Sequence, residues 1–383
     1  MTKRACFAVV TPGFEGVAEA ELRALGVDDV VAEEGGVSFT ATDAGLFRAN
    51  LWLRSAARVI VRVAEFPART FADLERRAKR VEWARYAAAG RVAFRVTCRK
   101  SRLYHSDAVA ERLTRSIEAQ VPGVAVVRPG AEDADDGSRQ LFVVRMLHDV
   151  CTISADASGA LLHRRGYRLA TAKAPIRENI AAGCLLALGY EGTAALVDPM
   201  CGSGTIPIEA AMIAAGIAPG HARTFACERW PGFDAKAVAA ARAAVQRPIA
   251  TGSTAGESGV NVPIIASDRD AGAVQATVAN AERAGVGGMI EVSRRAFSTI
   301  DAPAQRGLLI ANPPYGARVK GGADLRNLYA QMGNVAREKF AGWRVALVVA
   351  DKALAGQTKL PFEEVLAFSN GGIKVRLVAT PTL

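Results

Sequence analysis

The sequence predicts a mostly parallel α/β sheet preceded by smaller α+β units, on three observations. Beyond about residue 165, short apolar runs alternate with helix-period segments, the pattern that builds parallel sheets. The first such run, AALV at 194–197, feeds the glycine-rich turn DPMCGSGT (198–205) and then a helix at IPIEAAMI. Upstream, RVAFRVTCR (91–99) alternates in steps of two, as a half-buried strand does.

In chain order, Phe14, Val17, Ala18, Leu22 and Leu25 mark an amphipathic helix stopped by Gly26, and GGVSFTA (35–41) reads as a strand. In 91–99, Val92, Phe94, Val96 and Cys98 should face one way and Arg91, Arg95 and Arg99 the other, with Lys100 and Arg102 continuing the basic side. Ser106 and Asp107 then open a helix whose buried side is Val109, Leu113 and Ile117. AEDADDGS (131–138) reads as an acidic turn. In the sheet region, VPIIAS (262–267) ends in Asp268, and the fourth run, GLLIA (307–311), ends in NPPYG.

With 383 residues, half of them hydrophobic, the chain can fill two or three domain cores. It has no run of about 18 apolar residues that would suit a transmembrane helix. The apolar stretch in MTKRACFAVVTPGFEG is too short for a secretory signal. Six scattered cysteines with no C-x-x-C pair, and four histidines with no cluster, favour reduced thiols in a cytoplasm and argue against a structural metal. The net charge of +10 is local: 16 Lys/Arg and 6 Asp/Glu lie between Arg54 and Arg115, against 32 and 32 elsewhere. So concentrated a block is a footprint for a polyanion, and nucleic acid is the usual one. Its strand-loop-helix module suits single-stranded or folded RNA, where cation density matters more than groove readout.

A strand, a glycine-rich turn and a helix N-terminus make a nucleotide-handling corner. This corner is no P-loop, because it lacks the lysine, and no dinucleotide fingerprint, because Pro207 stands where a third glycine or alanine belongs. Asp198, at the strand end, suits a ligand with an ammonium group. Asp268 suits the two hydroxyls of a ribose. A nucleoside with a charged amino-acid end and no phosphate describes S-adenosylmethionine.

Two consecutive prolines keep NPPY (312–315) out of a strand or helix interior. An exocyclic base amine is a poor nucleophile, since its lone pair is delocalised into the ring. Methylating it requires acceptors that hold its hydrogens while the methyl arrives. The Asn312 side-chain oxygen and the Pro313 carbonyl can serve, with Pro314 stiffening the turn and Tyr315 stacking on an extruded base. This is catalysis by positioning and electrostatics.

DPMCGSGT followed by NPPYG resembles the class I methyltransferases of exocyclic amines. The wider chain is similar to the bacterial THUMP-domain guanine-N2 RNA methyltransferases, whose best-known members act on 23S rRNA. FAVVTPGFE, GGVSF, NLWLRSAARV, LHRRGYR (162–168), APIRENIAA (174–182) and the insertion FACERWPGF (225–233) all carry that likeness. The resemblance implies a ferredoxin-like α+β unit at 1–60, a THUMP RNA-binding domain at 61–160, and a Rossmann-like methyltransferase domain with a seven-stranded sheet at 161–383. It also implies that Asp198, Pro199, Met200, Cys201, Gly202, Ser203, Gly204 and Thr205 frame the methionine part of the cofactor. Asp268 and Arg269 would lie at its ribose, and Ala296 and Phe297 at its adenine, beside Asn312. Relatives usually carry Asp where Ala296 stands. Arg95, Arg99, Lys100 and Arg102 are the candidate RNA contacts. A tRNA guanine-N2 methyltransferase and a catalytically silent RNA-binding factor are the alternatives. A nicotinamide dehydrogenase is excluded by Pro207, and the basic module argues against a DNA adenine methylase.

Overall fold

The computed structural model describes residues 3–130, 137–169, 176–245, 262–314 and 322–383. Its chain divides into two compact units, one of Met1–Val10, Ala18–Leu162 and Gly220–Gln246, the other of Thr11–Val17, His163–Pro219 and Arg247–Leu383. AEDADDGS falls mostly outside the described residues.

The first unit begins with β1 (Arg4–Val10), α1 (Glu15–Ala24), β2 (Asp28–Glu33), β3 (Gly36–Ala41), α2 (Asp43–Trp52) and β4 (Ala56–Pro67). It continues through α3 (Phe71–Ala78), β5 (Gly90–Arg99), α4 (Ser106–Glu118), β6 (Val124–Val126), β7 (Gln140–Leu147) and β8 (Val150–Asp156). Capping explains where the helices start: Thr42 and Thr70 accept the backbone N–H of Gly45 and Asp73. All eight strands form one sheet in the order β2-β3-β1-β4-β8-β7-β5-β6. The boundary expected at 60/61 falls inside β4, which pairs with β1 on one edge and β8 on the other.

Two expectations for the basic block change in the structure. In β5, Val92 and Phe94 are buried as predicted, but so is Ala93 on the opposite parity. The strand lies inside the sheet between β6 and β7, so both its faces are covered near its start and open only toward Arg99. Nor is the whole block a surface footprint. Arg58 is buried in an ion pair with Asp156 and donates to the Gly159 carbonyl at 2.9 Å. Arg76, Arg85, Arg112 and Arg115 pair with carboxylates at 2.6–2.8 Å.

The second unit contributes α5 (Glu178–Ala187), β9 (Ala195–Asp198) and α6 (Thr205–Ala214). The chain next supplies α7 (Ala235–Val245) within the insertion grouped with the first unit. There Trp230 donates its indole N–H to Gln140 Oε1 at 2.8 Å and packs on Tyr86. The second unit resumes with β10 (Ile264–Asp268), α8 (Ala271–Arg283), β11 (Ile290–Arg294) and β12 (Gly307–Ala311). It ends with α9 (Gly322–Lys339), β13 (Trp343–Val349), α10 (Lys352–Gln357), β14 (Glu363–Asn370) and β15 (Ile373–Ala379). Its seven-stranded sheet runs β11-β10-β9-β12-β13-β15-β14, parallel except that β15 is antiparallel to both of its neighbours. The central strands are continuously apolar because both faces are covered. Val197, Leu309 and Leu347 share one core with Phe340, Trp343 and Tyr329. Among the described residues no helix is long and apolar enough to cross a membrane, and no group of three or more His, Cys, Asp or Glu is placed to hold a metal.

Candidate active site

The sheet register places the candidate residues. Asp198 at the end of β9 is level with Ala266 of β10, and the β9–β12 register, whose last pair is Val197 with Leu309, continues by one residue to set it level with Ile310. Asp268 and Asn312 therefore each stand two residues farther along, one strand to either side of Asp198. Two strand spacings separate their strands by roughly 10 Å. Both share the side-chain parity of Asp198, so the three converge on one patch of the carboxyl edge where open α/β sheets bind ligands.

Asp198 is 1% exposed and accepts the Met200 N–H at 3.1 Å; it makes no ion pair among the described residues. Burial, helped by the charge of Asp268, pushes its carboxyl up to about 8. A cation bound beside it would lower that value and favour the ionised form. Asp268 is fixed by two backbone donors, Gly202 N–H at 3.1 Å and Asp270 N–H at 3.0 Å, and it keeps lone pairs for hydroxyls. Gly204, at φ +84°, caps α6 with no side-chain hydrogen bond, leaving amides of the first turn for a carboxylate. Ammonium, carboxylate and ribose diol are thus each matched by a group of the right chemistry. The Asn312 side-chain oxygen is buried and has no hydrogen-bond partner among the described residues, a costly condition unless a donor arrives with the substrate. Pro313 is buried and Pro314 exposed. Tyr315 lies outside the described residues.

The loop between β9 and α6 is held from behind. Cys201 N–H donates to the Ser267 carbonyl at 3.0 Å, Thr277 Oγ1 to the Gly202 carbonyl at 3.0 Å, and Asn280 Nδ2 to the Ser203 carbonyl at 2.9 Å. Asn280 also meets Arg283, whose Nε donates to the Tyr167 carbonyl at 2.8 Å. The Tyr167 hydroxyl donates to Glu209 at 3.0 Å, and Arg165 pairs with that same buried carboxylate at 3.3 Å. Thr277 and Asn280 were not among the residues singled out from sequence. Their signal is a Thr and an Asn three apart on the side of the helix whose other buried residues are Ala273 and Ala281.

Of the other expected cofactor residues, Pro199 and Ser203 are buried in the loop, Thr205 is buried at the first position of α6, and Met200 packs against the hydrophobic core. Arg269 is exposed, with its carbonyl accepting Arg294 Nε at 3.2 Å. Ala296 is exposed after β11 and precedes a short turn, where its carbonyl accepts Thr299 Oγ1 at 2.9 Å. Phe297 is 7% exposed and joins the core cluster of Val197 and Leu309. His163 is buried with Nδ1 unpartnered among the described residues; burial and nearby arginines, Arg177 first, hold it neutral, with a pKa lowered to about 3. In the first unit Arg99, Lys100 and Arg102 are exposed, and Arg95 is half-buried with a 3.4 Å bond to the Gly130 carbonyl. By register Arg145 of β7, opposite Thr97, shares their face.

Residues 165–375 match the RMKL-like methyltransferase domain, and residues 5–60 match the RlmL ferredoxin-like domain. The chain is 32% identical over 381 residues to slr0064 of Synechocystis sp., provisionally named an RNA methyltransferase, covering 98% of this chain and 96% of that one. It is 34% identical to the ribosomal RNA large subunit methyltransferase K/L of Syntrophotalea carbinolica, over 97% of this chain and 53% of the relative. The chain thus spans about half the length of the K/L relatives. The solved structure of SMU.472, provisionally named a methyltransferase and complexed with SAH, superposes with a TM-score of 0.84 at 28% identity, covering 100% and 99% of the two chains. Sheet order, carboxyl-edge site and matches together define a class I methyltransferase, whose methyl donor is S-adenosylmethionine. Within that class the chain belongs to the RMKL-like methyltransferase domain family.

Proposed function

We propose that the protein transfers a methyl group from S-adenosylmethionine to the exocyclic N2 amine of a guanine in 23S rRNA, with residues 61–160 acting as a THUMP domain that docks the RNA. The observation that carries this reading is the buried Asn312 oxygen just past β12, which has no hydrogen-bond partner among the described residues and stands level with Asp268, close to the Asp198 patch. An amine donates two hydrogens. One would go to Asn312 Oδ1 and one to the Pro313 carbonyl, which bends the nitrogen lone pair toward the methyl. S-adenosylmethionine, when bound, would supply that methyl on a sulfonium, whose S–CH3 electron pair returns to sulfur so that a neutral thioether leaves without a general acid. Asp198 would hold its ammonium and Asp268 its ribose, while the braced loop keeps both in register. RNA as substrate is supported by the exposed Arg99, Lys100 and Arg102 and by the names of the relatives.

The test is transfer of labelled methyl to total RNA from a strain lacking the gene, followed by size separation and nucleoside digestion. Label in N2-methylguanosine of the 23S fraction is expected. Label in tRNA, in another nucleoside, or in none would overturn the assignment.

A further inference from the structure

We propose that the segment from Arg99 to His105, which follows β5, is a seat for single-stranded RNA, with one base stacked on the Tyr104 ring. This rests on the RNA reading above for the nature of the polyanion and adds where and how an unpaired base is held.

Tyr104 is 69% exposed and is the one exposed Phe, Tyr or Trp among the described residues. A lone surface tyrosine would carry little weight, but this ring is supported. The His105 ring lies behind it at 4.1 Å between centroids, tilted by 41°, and leaves the rest of the phenol to solvent. The same short segment carries Arg99, Lys100 and Arg102, all exposed. Arg99 and Lys100 make no ion pair among the described residues, unlike Arg76 of α3 and Arg115 of α4, which pair with Asp73 and Glu111.

The segment is also shaped in advance. Arg102 N–H donates to Asp149 Oδ1 at 2.7 Å, and Asp149 N–H donates to Ser101 Oγ at 3.0 Å, which ties the segment to the turn between β7 and β8. The same carboxylate stands 3.9 Å from Arg69 and 4.0 Å from Arg102, gathering two guanidinium groups that remain 68% and 72% exposed. Leu103, buried at 5%, pins the middle of the segment. Lys100, His148 and Asp149 have φ of 48°, 51° and 62°, a left-handed conformation that side-chain-bearing residues adopt at a cost. Spending three such positions on one exposed loop pair is reasonable when the loop must present groups to a ligand. An exposed π-face next to unneutralised cations fits an unpaired base and its phosphates. A duplex keeps its bases stacked and offers none to the ring.

The experiment is fluorescence anisotropy of the full chain with a labelled 12-nucleotide single-stranded RNA and with a blunt duplex of the same length, across a salt series. Tyr104→Ala should weaken single-strand binding about tenfold without changing the salt slope, and Tyr104→Phe should bind within twofold of the parent. Arg102→Ala should reduce the salt slope by about one. Duplex binding should be unaffected by Tyr104→Ala. The proposal is overturned if Tyr104→Ala binds the single strand like the parent, if Tyr104→Phe loses as much as Tyr104→Ala, or if duplex binding falls equally. Methyl transfer on the same preparation separates the two readings. Transfer to guanine with no Tyr104 effect removes the seat and leaves the enzyme. A Tyr104 effect with no transfer removes the proposed activity and leaves the seat.

Discussion

The two units bury charge in opposite ways. In the first, Arg58 and Asp156 are both buried and each is met: the pair closes on itself, and the Gly159 carbonyl takes a further Arg58 N–H. In the second, Asp198 is equally buried with a single backbone donor, and the Asn312 oxygen has none among the described residues. The same second unit also holds Glu209, whose Oε1 receives both Arg165 and Tyr167 while its Oε2 has no hydrogen-bond partner among the described residues. One unpartnered buried atom is therefore not by itself the mark of a site. Asp198 and Asn312 differ from Glu209 in having no side-chain partner among the described residues while standing at the carboxyl edge of the sheet.

Breaking the Arg58–Asp156 ion pair should give the largest effect. Arg58→Ala strands a buried carboxylate and is expected to cost about 3–5 kcal/mol of unfolding free energy, read by chemical denaturation. Truncating Asn312 should leave the fold alone. Asn312→Ala is expected to lower kcat by about 10²–10³ in single-turnover transfer, with cofactor affinity and Tm near the parent. Asp198→Asn should weaken cofactor binding by roughly 30-fold in calorimetry, the worth of a hydrogen bond to a charged group.

The pH dependence sharpens that third case. A carboxyl pushed up to about 8 is mostly protonated at pH 7 and must ionise to meet an ammonium. Cofactor affinity of the parent should therefore rise from pH 6 toward about 8, and that of Asp198→Asn should stay flat. Stability runs the other way. The folded state holds the proton more tightly than the unfolded chain, so the stabilisation is complete below about pH 4 and is lost as pH rises through about 8. Ligand-free Asp198→Asn should accordingly melt a few degrees above the parent at pH 8, a gain in stability that accompanies loss of binding.

Smaller effects follow from the loop. A Cβ on Gly204 would lie 2.7 Å from Thr277 Cγ2, at a φ of +84°. Gly204→Ala should destabilise by about 1–3 kcal/mol in thermal melts, and Thr277→Ser, which removes that methyl and keeps the hydroxyl, should restore part of the loss. The smallest change is a gain. Ala296→Asp adds a cap ahead of the Phe297–Thr299 turn and an acceptor near the end of β11, and cofactor affinity should improve a few-fold.

Strand ends were legible in the sequence because chemistry concentrates there. Asp198, the glycines, Asp268 and Asn312 each interrupt an apolar run, and Val109, Leu113 and Ile117 are fully buried on α4 as their spacing requires. What sequence could not supply was register, since the levelling of Asp268 and Asn312 on either side of Asp198 is a property of pairing between strands. Nor could it separate Arg58 from Arg102, two arginines in one basic block, because the partner that buries the first lies 98 residues away. Phe297, which packs in the cluster of Val197 and Leu309, shows the same limit, since its neighbours are fixed only when the sheet is assembled. The return of residues 220–246 to the first unit is equally invisible to local pattern.

The shared strand β4 bears on how the protein can be taken apart. A fragment beginning at residue 61 would lose Ala56–Ile60, most of the stretch of β4 that pairs with β1, and with it Arg58, the partner of the buried Asp156. A buried carboxylate left without its cation costs about 3–5 kcal/mol, so that fragment should be unstable. A cut there would report on the wounded sheet rather than on the RNA affinity of what remains.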